Sequence, residues 1–370
     1  MSKNLLFLNT CREWGGGEKW TFETAEELAK RGYNVTVGST PESELFQRAD
    51  SAGIKTKKVP VSGSLSVLNP VKLLSFVNYL KKNEIDIIFL NLSQDLKFGA
   101  IAGNIAGVEH IIYRRGSAIP IKDRFYTEYL LGECVTDIIA NSEATKETIL
   151  ENTSHWLTDE KIKIIYNGLK VKDIRDKLFI SKTDIKNEFD IDSDDLVIAN
   201  VGRLSPQKGH KYLLRAIKLI KEQIDSCKVL IVGKGELEEE IKAEAEKLDL
   251  KDKVIFTGFR KDIYNILSQS DFLLHTALWE GFGYVVAEAM AVGIPVVSTD
   301  VSNIAEIMRD GKSGYLCESE NPDDIAEKAL QMYRNSEAER MQMGQIGKTI
   351  IKNNFTFKKM IDKVEKEYLS

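Results

Sequence analysis

The chain has 370 residues, 43% hydrophobic and 29% charged, a soluble-protein composition long enough for two domains, each burying its own core. Its net charge of −5 argues against a dedicated nucleic-acid binder, although local basic patches can still meet anions. Four scattered cysteines and four scattered histidines show neither C-x-x-C nor zinc spacing, so no metal, no cofactor and no disulfide framework are expected. No run of about 18 apolar residues predicts a membrane span, and the apolar start Leu5 to Leu8 is too short for a signal peptide, so a cytoplasmic protein is expected.

In chain order, Leu5 to Leu8 reads as a buried strand. Gly15-Gly16-Gly17 follows it as a loop, then Trp20 to Lys30 has helical spacing closed by Arg31-Gly32, and Val35 to Val37 is the next strand. A glycine loop after the first strand of a strand–helix–strand unit sits where open parallel sheets hold ligands. Its spacing matches neither the dinucleotide fingerprint nor a Walker loop, so neither cofactor follows from it. Helices over 72–82 and 100–106 alternate with strands over 85–90 and 110–113. A basic stretch, Arg114-Arg115-Gly116 to Tyr126, then reads as a loop; with its aromatics it could meet an anionic acceptor or a membrane surface. A solvated loop is the simpler reading. Ile138 to Ala140 is a strand leading to Ser142, an N-cap candidate, and Lys163 to Tyr166 is the last strand of this half.

From Lys170 to Asp195 charges crowd together, and this stretch reads as an acidic linker. It contains Asp190-Ile191-Asp192, a pair that binds metal in some transferases but reads here as a solvated loop. The second half restarts with strand 196–201, then Gly202-Arg203-Leu204-Ser205-Pro206-Gln207-Lys208-Gly209 and a helix through Ile220. Gly233-Lys234-Gly235 lacks a third glycine and is followed by Glu236, Glu238, Glu239 and Glu240, which would repel a pyrophosphate; it reads as a structural turn. Strands over 254–257, 272–275 and 294–298 follow, and helices close the chain.

The chemistry gathers around Glu280-Gly281-Phe282-Gly283-Tyr284, which opens a helix carrying Glu288. A helix start offers unpaired N–H groups and a positive dipole end, suited to phosphate. Arg203 and Lys208, each in a loop after a strand, add two cations for a diphosphate, at about 1.5–3 kcal/mol per charge-assisted bond. Together with two carboxylates for hydroxyl groups, they describe a nucleotide-diphospho-sugar site.

These residues, with Glu288-Ala289-Met290 and Gly293-Ile294-Pro295-Val296-Val297, resemble glycosyltransferase family 4, retaining enzymes of the GT-B fold. The likeness extends more loosely through Gly15-Gly16-Gly17, Asn141-Ser142-Glu143-Ala144 and Tyr166-Asn167-Gly168. It implies an α/β architecture of two Rossmann-like, doubly wound parallel-sheet domains facing a cleft. Residues 1–180 would form the acceptor-side domain and 181–354 the donor domain, with a final helix over 355–370 packing back on the first. It further implies that Arg203 and Lys208 hold the diphosphate, Glu288 the ribose and Glu280 the transferred sugar, with Phe259 and Arg260 at the nucleobase and Gly16 and Gly17 at the diphosphate. Gly281, Phe282, Gly283 and Tyr284 would supply the helix start. The reaction implied is metal-independent transfer of a hexose-type sugar, from a UDP-sugar in preference to a GDP-sugar, to a cell-surface glycan or lipid-linked acceptor. Such an enzyme would work in the cytoplasm or at the inner face of the membrane. Where many relatives carry a histidine after strand 110–113, this chain has Arg114 and Arg115, which leaves the acceptor side open. A nucleotide-sugar epimerase of the same fold and a non-catalytic two-domain sugar-binding protein are the alternatives.

Overall fold

Short apolar runs separated by helices become parallel strands buried on both faces. In the computed structural model, residues 2–59, 61, 63–180 and 183–369 are described, with positions 64, 179 and 180 described by backbone alone. The first sheet has seven strands, β1 (Asn4–Leu8), β2 (Asn34–Ser39), β3 (Lys55–Lys58), β4 (Ile87–Leu90), β5 (His110–Arg115), β6 (Asp137–Ala140) and β7 (Ile162–Ile164), in the order β3-β2-β1-β4-β5-β6-β7. The second has six, β8 (Leu196–Val201), β9 (Cys227–Val232), β10 (Val254–Gly258), β11 (Phe272–His275), β12 (Val296–Thr299) and β13 (Gly314–Cys317), in the order β10-β9-β8-β11-β12-β13. Every pairing in both sheets is parallel.

The helices between strands of the first sheet are α1 (Gly16–Lys30), α2 (Glu44–Ser51), α3 (Pro70–Lys82), α4 (Ser93–Ala106), α5 (Phe125–Glu128) and α6 (Glu143–Leu150). After them come α7 (Val171–Ile180), α8 (Ile185–Glu188), α9 (His210–Lys221), α10 (Glu238–Lys247), α11 (Ile263–Ser268), α12 (Tyr284–Val292), α13 (Ile304–Ile307), α14 (Pro322–Arg334), α15 (Glu337–Asn354) and α16 (Phe357–Tyr368). The chain divides into two compact units, Met1–Asn167 with Lys358–Ser370, and Gly168–Phe357. In the first, Leu6, Leu8, Phe76, Ile88, Leu90, Phe98, Ile111 and Ile138 form the core, and the rings of Phe7 and Phe89 stack 4.6 Å apart. In the second, the core is built by Ile198, Leu213, Ile217, Val229, Ile231, Phe272, Leu274 and Val297. Each such side chain contributes about 1.5–3 kcal/mol by leaving water.

The last helix lies in the first unit. Arg31 of α1 donates to Asp362 at 2.9 Å and pairs with Glu365, and Tyr368 sets its ring edge-on to Phe89. The charged stretch read as a linker instead carries α7 and α8; α7 packs on α11 and α12, so the stretch is part of the second unit. Within it, Asp190 and Asp192 are exposed in the turn before β8. The basic stretch after Tyr113 is also corrected. Arg114 and Arg115 pair with Ile139 and Ala140, so both belong to β5 and not to a loop. Strand β3 had no apolar pattern: it is the edge strand Lys55-Thr56-Lys57-Lys58, the kind of charged edge that resists further pairing, while the short helix α2, which buries Leu45 and Ala49 one turn apart, was not read from sequence.

Both strand orders reverse direction once, between β1 and β4 in the first sheet and between β8 and β11 in the second. At such a switch point the loops leaving neighbouring strands diverge and open a crevice at their C-terminal ends. In the second unit those loops are Gly202–Gly209 and Thr276–Gly283.

Candidate functional site

The site is built first from backbone. Strand β8 ends at Val201, and the following loop is pinned by Gly202 N–H to Val232 O at 3.0 Å and Leu204 N–H to Lys234 O at 3.0 Å. The Gly233-Lys234-Gly235 turn makes this approach possible: a Cβ at Gly233 would sit 1.8 Å from Gly202 O, and one at Gly235 would sit 2.2 Å from Leu204 O. Its glycines therefore brace the Arg203 loop. The Lys208 stem lies across Gly202, with three of its carbons 3.2–3.3 Å from where a Cβ would be.

Gly209 follows with φ +64, a left-handed conformation, and its missing Cβ would meet Thr276 O at 2.1 Å. This closeness lets the two loops knit together. Thr276 Oγ1 donates to Lys208 O at 3.0 Å, Leu278 N–H to Gln207 O at 2.8 Å and Gln207 Nε2 to Trp279 O at 2.8 Å. Lys208 and Glu280 are thereby carried side by side although 72 residues separate them.

Their side chains form a buried ion pair, Lys208 Nζ to Glu280 Oε1. His275, the last residue of β11, brings Nε2 to 3.1 Å from the same oxygen, off the line of a well-formed hydrogen bond. Burial alone would raise the Glu280 carboxyl, but the Lys208 charge and the His275 contact hold it down at about 2. Burial keeps the His275 imidazole below its usual value despite that carboxylate, and pushes His210 down to about 4, with Lys208 and His275 adding to the effect. At neutral pH the Lys208 partner is thus a carboxylate beside neutral imidazoles.

The loop that carries Glu280 is held from the other side by Ser302 and Asn303. Glu280 N–H donates to Ser302 Oγ at 3.1 Å, and buried Asn303 Nδ2 donates to Phe282 O at 3.1 Å. Ser302 itself has φ +54. Gly283, φ +75, is the N-cap of α12; a Cβ there would come within 2.6 Å of Ile304 Cδ1. The N-cap of α12 is a glycine, so the helix begins without a capping side chain of its own N-cap residue. Phe282 is buried against Tyr284 and Phe355. Glu288 is buried one turn into the helix and accepts from Tyr264 Oη at 3.2 Å.

Of the residues singled out from sequence, the structure therefore gathers Lys208, Glu280, Gly281, Phe282, Gly283 and Tyr284 in one place. Arg203 is on the loop braced beneath Lys208, and Glu288 sits on the same helix. Phe259 is largely exposed after β10, while the Arg260 guanidinium is occupied by Asp262 at 2.8 Å and by Glu188. Its side chain is therefore tied down by two carboxylates.

Gly16 and Gly17 belong to the first turn of α1, not to a loop, and a Cβ at Gly17 would meet nothing within 4 Å. Arg114 is buried, donates to Asn167 Oδ1 at 2.9 Å and lies 4.4 Å over the Trp20 ring. Arg115 donates to Ile119 O at 2.7 Å. The first unit also holds groups that sequence reading missed. Asp95, fully buried, accepts from Thr10 Oγ1 at 2.5 Å, Thr10 N–H at 3.3 Å and Leu92 N–H at 3.2 Å; burial pushes it up to about 7 in spite of these bonds. Glu18, also buried, accepts from Asn9 Nδ2 at 3.1 Å. The signal for Asp95 was its place just after an apolar strand, obscured by starting that helix at Ala100. His275 was visible as the one polar end of an apolar strand.

Comparison with known proteins identifies the family. The family model for glycosyl transferases group 1 matches residues 181–350, and that for glycosyltransferase family 4 matches residues 14–173. An uncharacterized glycosyltransferase of Methanocaldococcus jannaschii is 30% identical over 276 residues, 73% of this chain and 71% of that protein. The UDP-Gal:alpha-D-GlcNAc-diphosphoundecaprenol alpha-1,3-galactosyltransferase of Escherichia coli is 27% identical over 319 residues, 83% of this chain and 81% of its own. Among solved structures, Anabaena HepE in complex with UDP and glucose superposes with a TM-score of 0.83 at 22% identity, covering 99% of both chains. A glycosyltransferase from Rickettsia africae gives 0.86 at 20% identity, covering 99% of this chain and 98% of that one. With two parallel-sheet α/β units of the GT-B class and both family models matched in order, the chain belongs to glycosyltransferase family 4 and is a glycosyltransferase.

Proposed function

We propose that this glycosyltransferase moves a hexose-type sugar, with retention of configuration and without a metal ion, from a nucleoside-diphosphate donor to a lipid-linked or cell-surface glycan acceptor. The observation that carries the reading is the buried Lys208–Glu280 pair at the β8/β11 switch point, beside the glycine-led start of α12. Lys208, Arg203 and the α12 amides would hold the diphosphate and balance the charge that develops on it as it leaves. Glu280, kept ionised, would accept from hydroxyls of the transferred sugar, and Glu288 from the ribose. The nucleobase would meet the backbone near Phe259 and Arg260. In the reaction the bond from the anomeric carbon to the phosphate oxygen breaks, and the acceptor oxygen bonds to the same face of that carbon. The acceptor proton passes to the departing phosphate oxygen.

A UDP-sugar is the favoured donor: the Escherichia coli relative is named for UDP-Gal, and HepE has been crystallised with UDP and with UDP-glucose. A lipid-linked acceptor is favoured by the names of that relative and of a Campylobacter jejuni diphospho-undecaprenol transferase, 31% identical over 189 residues. Such an acceptor places the enzyme in the cytoplasm at the inner face of a membrane, with the exposed part of 114–126 as contact. Arg114 and Arg115, tied to Asn167 and Ile119, would act on the acceptor side through the loop they order. A thermal-shift panel of UDP-, GDP- and ADP-sugars tests the donor. Ligand at a hundredfold its Kd stabilises by about 2.7 kcal/mol, so a UDP-sugar should raise Tm by several degrees. No shift with any of the three at millimolar concentration would overturn the reading.

A further inference from the structure

The second unit holds a cavity of about 730 Å³, lined chiefly by α9 and α10, within the size range of small-molecule sites. Part of its wall is Ser205, Pro206 and Gly209, on either side of Lys208, together with Leu278, two residues before Glu280. The cavity therefore backs onto both segments that carry the buried ion pair. None of the chemistry assigned to the donor uses it.

The lining is amphipathic. Leu214 of α9, Leu237 at the N-cap of α10 and Ile241 of α10 supply apolar surface. Lys211 and Arg215, one turn apart on α9, supply two exposed cations, and neither has a carboxylate partner among the described residues. On α10, Glu244 is already paired with Lys247 at 3.4 Å, and Glu240 is exposed. The cavity also takes in Gly209, the N-cap of α9, where the helix dipole favours negative charge. The α9 side is thus the cationic end of an apolar groove. His210 adds an observation of a different kind. It lines the cavity, is only 3% exposed, and neither of its ring nitrogens has a hydrogen-bond partner among the described residues. A buried polar group left without a partner costs about 1–3 kcal/mol, and such groups are rare in purely structural positions. Kept neutral by burial and by the Lys208 charge, the imidazole has one donor and one acceptor nitrogen unused at the cavity's edge.

We propose that this cavity is an effector site for a small amphiphilic anion, with Lys211 and Arg215 holding the head and Leu214, Leu237 and Ile241 the apolar body. An occupant fills the space behind the 3-10 turn Pro206–Lys208, so the turn has less freedom to lose when a diphosphate meets Lys208. Donor affinity therefore rises with occupancy. The binding stands apart from the donor reading given above, and the coupling rests on it.

The test is calorimetric titration of the full chain with octyl phosphate, kept below the concentration at which it forms micelles, with and without saturating UDP. It should bind with single-site saturation in both cases, and inorganic phosphate or octanol, each half of the probe, should bind at least about tenfold more weakly. Octyl phosphate should raise UDP affinity by about fivefold or more, and UDP should raise that of octyl phosphate by the same factor. Lys211→Ala/Arg215→Ala, at exposed positions, should weaken octyl phosphate by about tenfold or more. Ala243→Trp, which fills the groove from an exposed position on α10, should remove octyl phosphate binding and leave UDP affinity in its absence unchanged. Displacement of octyl phosphate by UDP would overturn the proposal, because the probe would then sit in the donor site. So would wild-type affinity for the probe in both variants, or a UDP affinity that does not respond to it. Octyl phosphate bound by a chain that takes no UDP would sink the donor reading and keep the cavity as a binding site, and UDP bound by a chain that takes no octyl phosphate would do the reverse.

Discussion

Replacing Lys208 by Met isolates the interaction on which the donor site turns. Met fills much of the lysine stem over Gly202 but leaves Glu280, with 9% of its side chain accessible, as a buried carboxylate whose remaining polar neighbour is His275. Removing one partner of a buried ion pair costs about 3–5 kcal/mol. In a unit of this size that lowers its Tm by roughly 6–20 °C. The pH dependence reports the cause. In the wild type Glu280 is depressed from its usual 4.5 to about 2, so its contribution is present above 4.5 and is lost only as pH falls toward 2. In the variant the Lys208 charge no longer opposes burial and only the His275 contact does, so the carboxyl moves upward and its charged form becomes more costly as pH rises. His275, no longer opposed by Lys208, also takes up a proton more readily beside the carboxylate. The Tm gap should therefore be widest at pH 7–8 and shrink toward pH 4.5. Lys208→Met/Glu280→Met, which removes both charges, should recover most of the loss. Melting curves from pH 4.5 to 8 read all three. A gap independent of pH, or losses that simply add in the double variant, would refute the reasoning.

Two further outcomes follow from the same geometry. Asn303→Ala removes the buried donor to Phe282 O and should cost about 1–3 kcal/mol, and Asn303→Asp, of equal size but lacking the N–H, should be no better in thermal melts; a neutral Asp would mean the bond is not what holds the loop. On the proposed assignment of Arg203, Lys208 and helix amides to the leaving diphosphate, activity should survive treatment with EDTA; loss of activity that Mg²⁺ restores would reinstate the exposed Asp190/Asp192 pair as a metal site.

Much of the fold was legible because it is periodic. The strands of the second unit alternate with helices whose apolar spacing is regular, and β8 and β11 coincide with the runs read from sequence. The segments that were missed obey a different rule. The strand β3 has no apolar face to announce it, and β5 continues through Arg114 and Arg115 because pairing with β6 outweighs the charge of those side chains. In the site, the residue types and the helix start at Gly283 could be named from local sequence, since a glycine-flanked turn ahead of an apolar helical run is a local pattern. What could not be read was which groups meet. Nothing local to Lys208 points to Glu280, nor does anything near Glu280 point to Ser302; those contacts exist because Gly209 lets one backbone rest on Thr276 O and because Ser302 takes a left-handed turn. Arg114 was read as part of a solvated basic loop and is instead a buried group over Trp20, a distinction that only burial decides.

The most direct test of the account is Glu280→Gln, with sugar transfer and nucleoside-diphosphate affinity measured on the same protein. Glu280 is assigned to the sugar and Lys208 to the diphosphate, so the variant should lose transfer by about a hundredfold or more while binding UDP as tightly as wild type or more so, with Lys208 relieved of its buried partner. Equal losses in both would contradict the account and make Glu280 a structural residue.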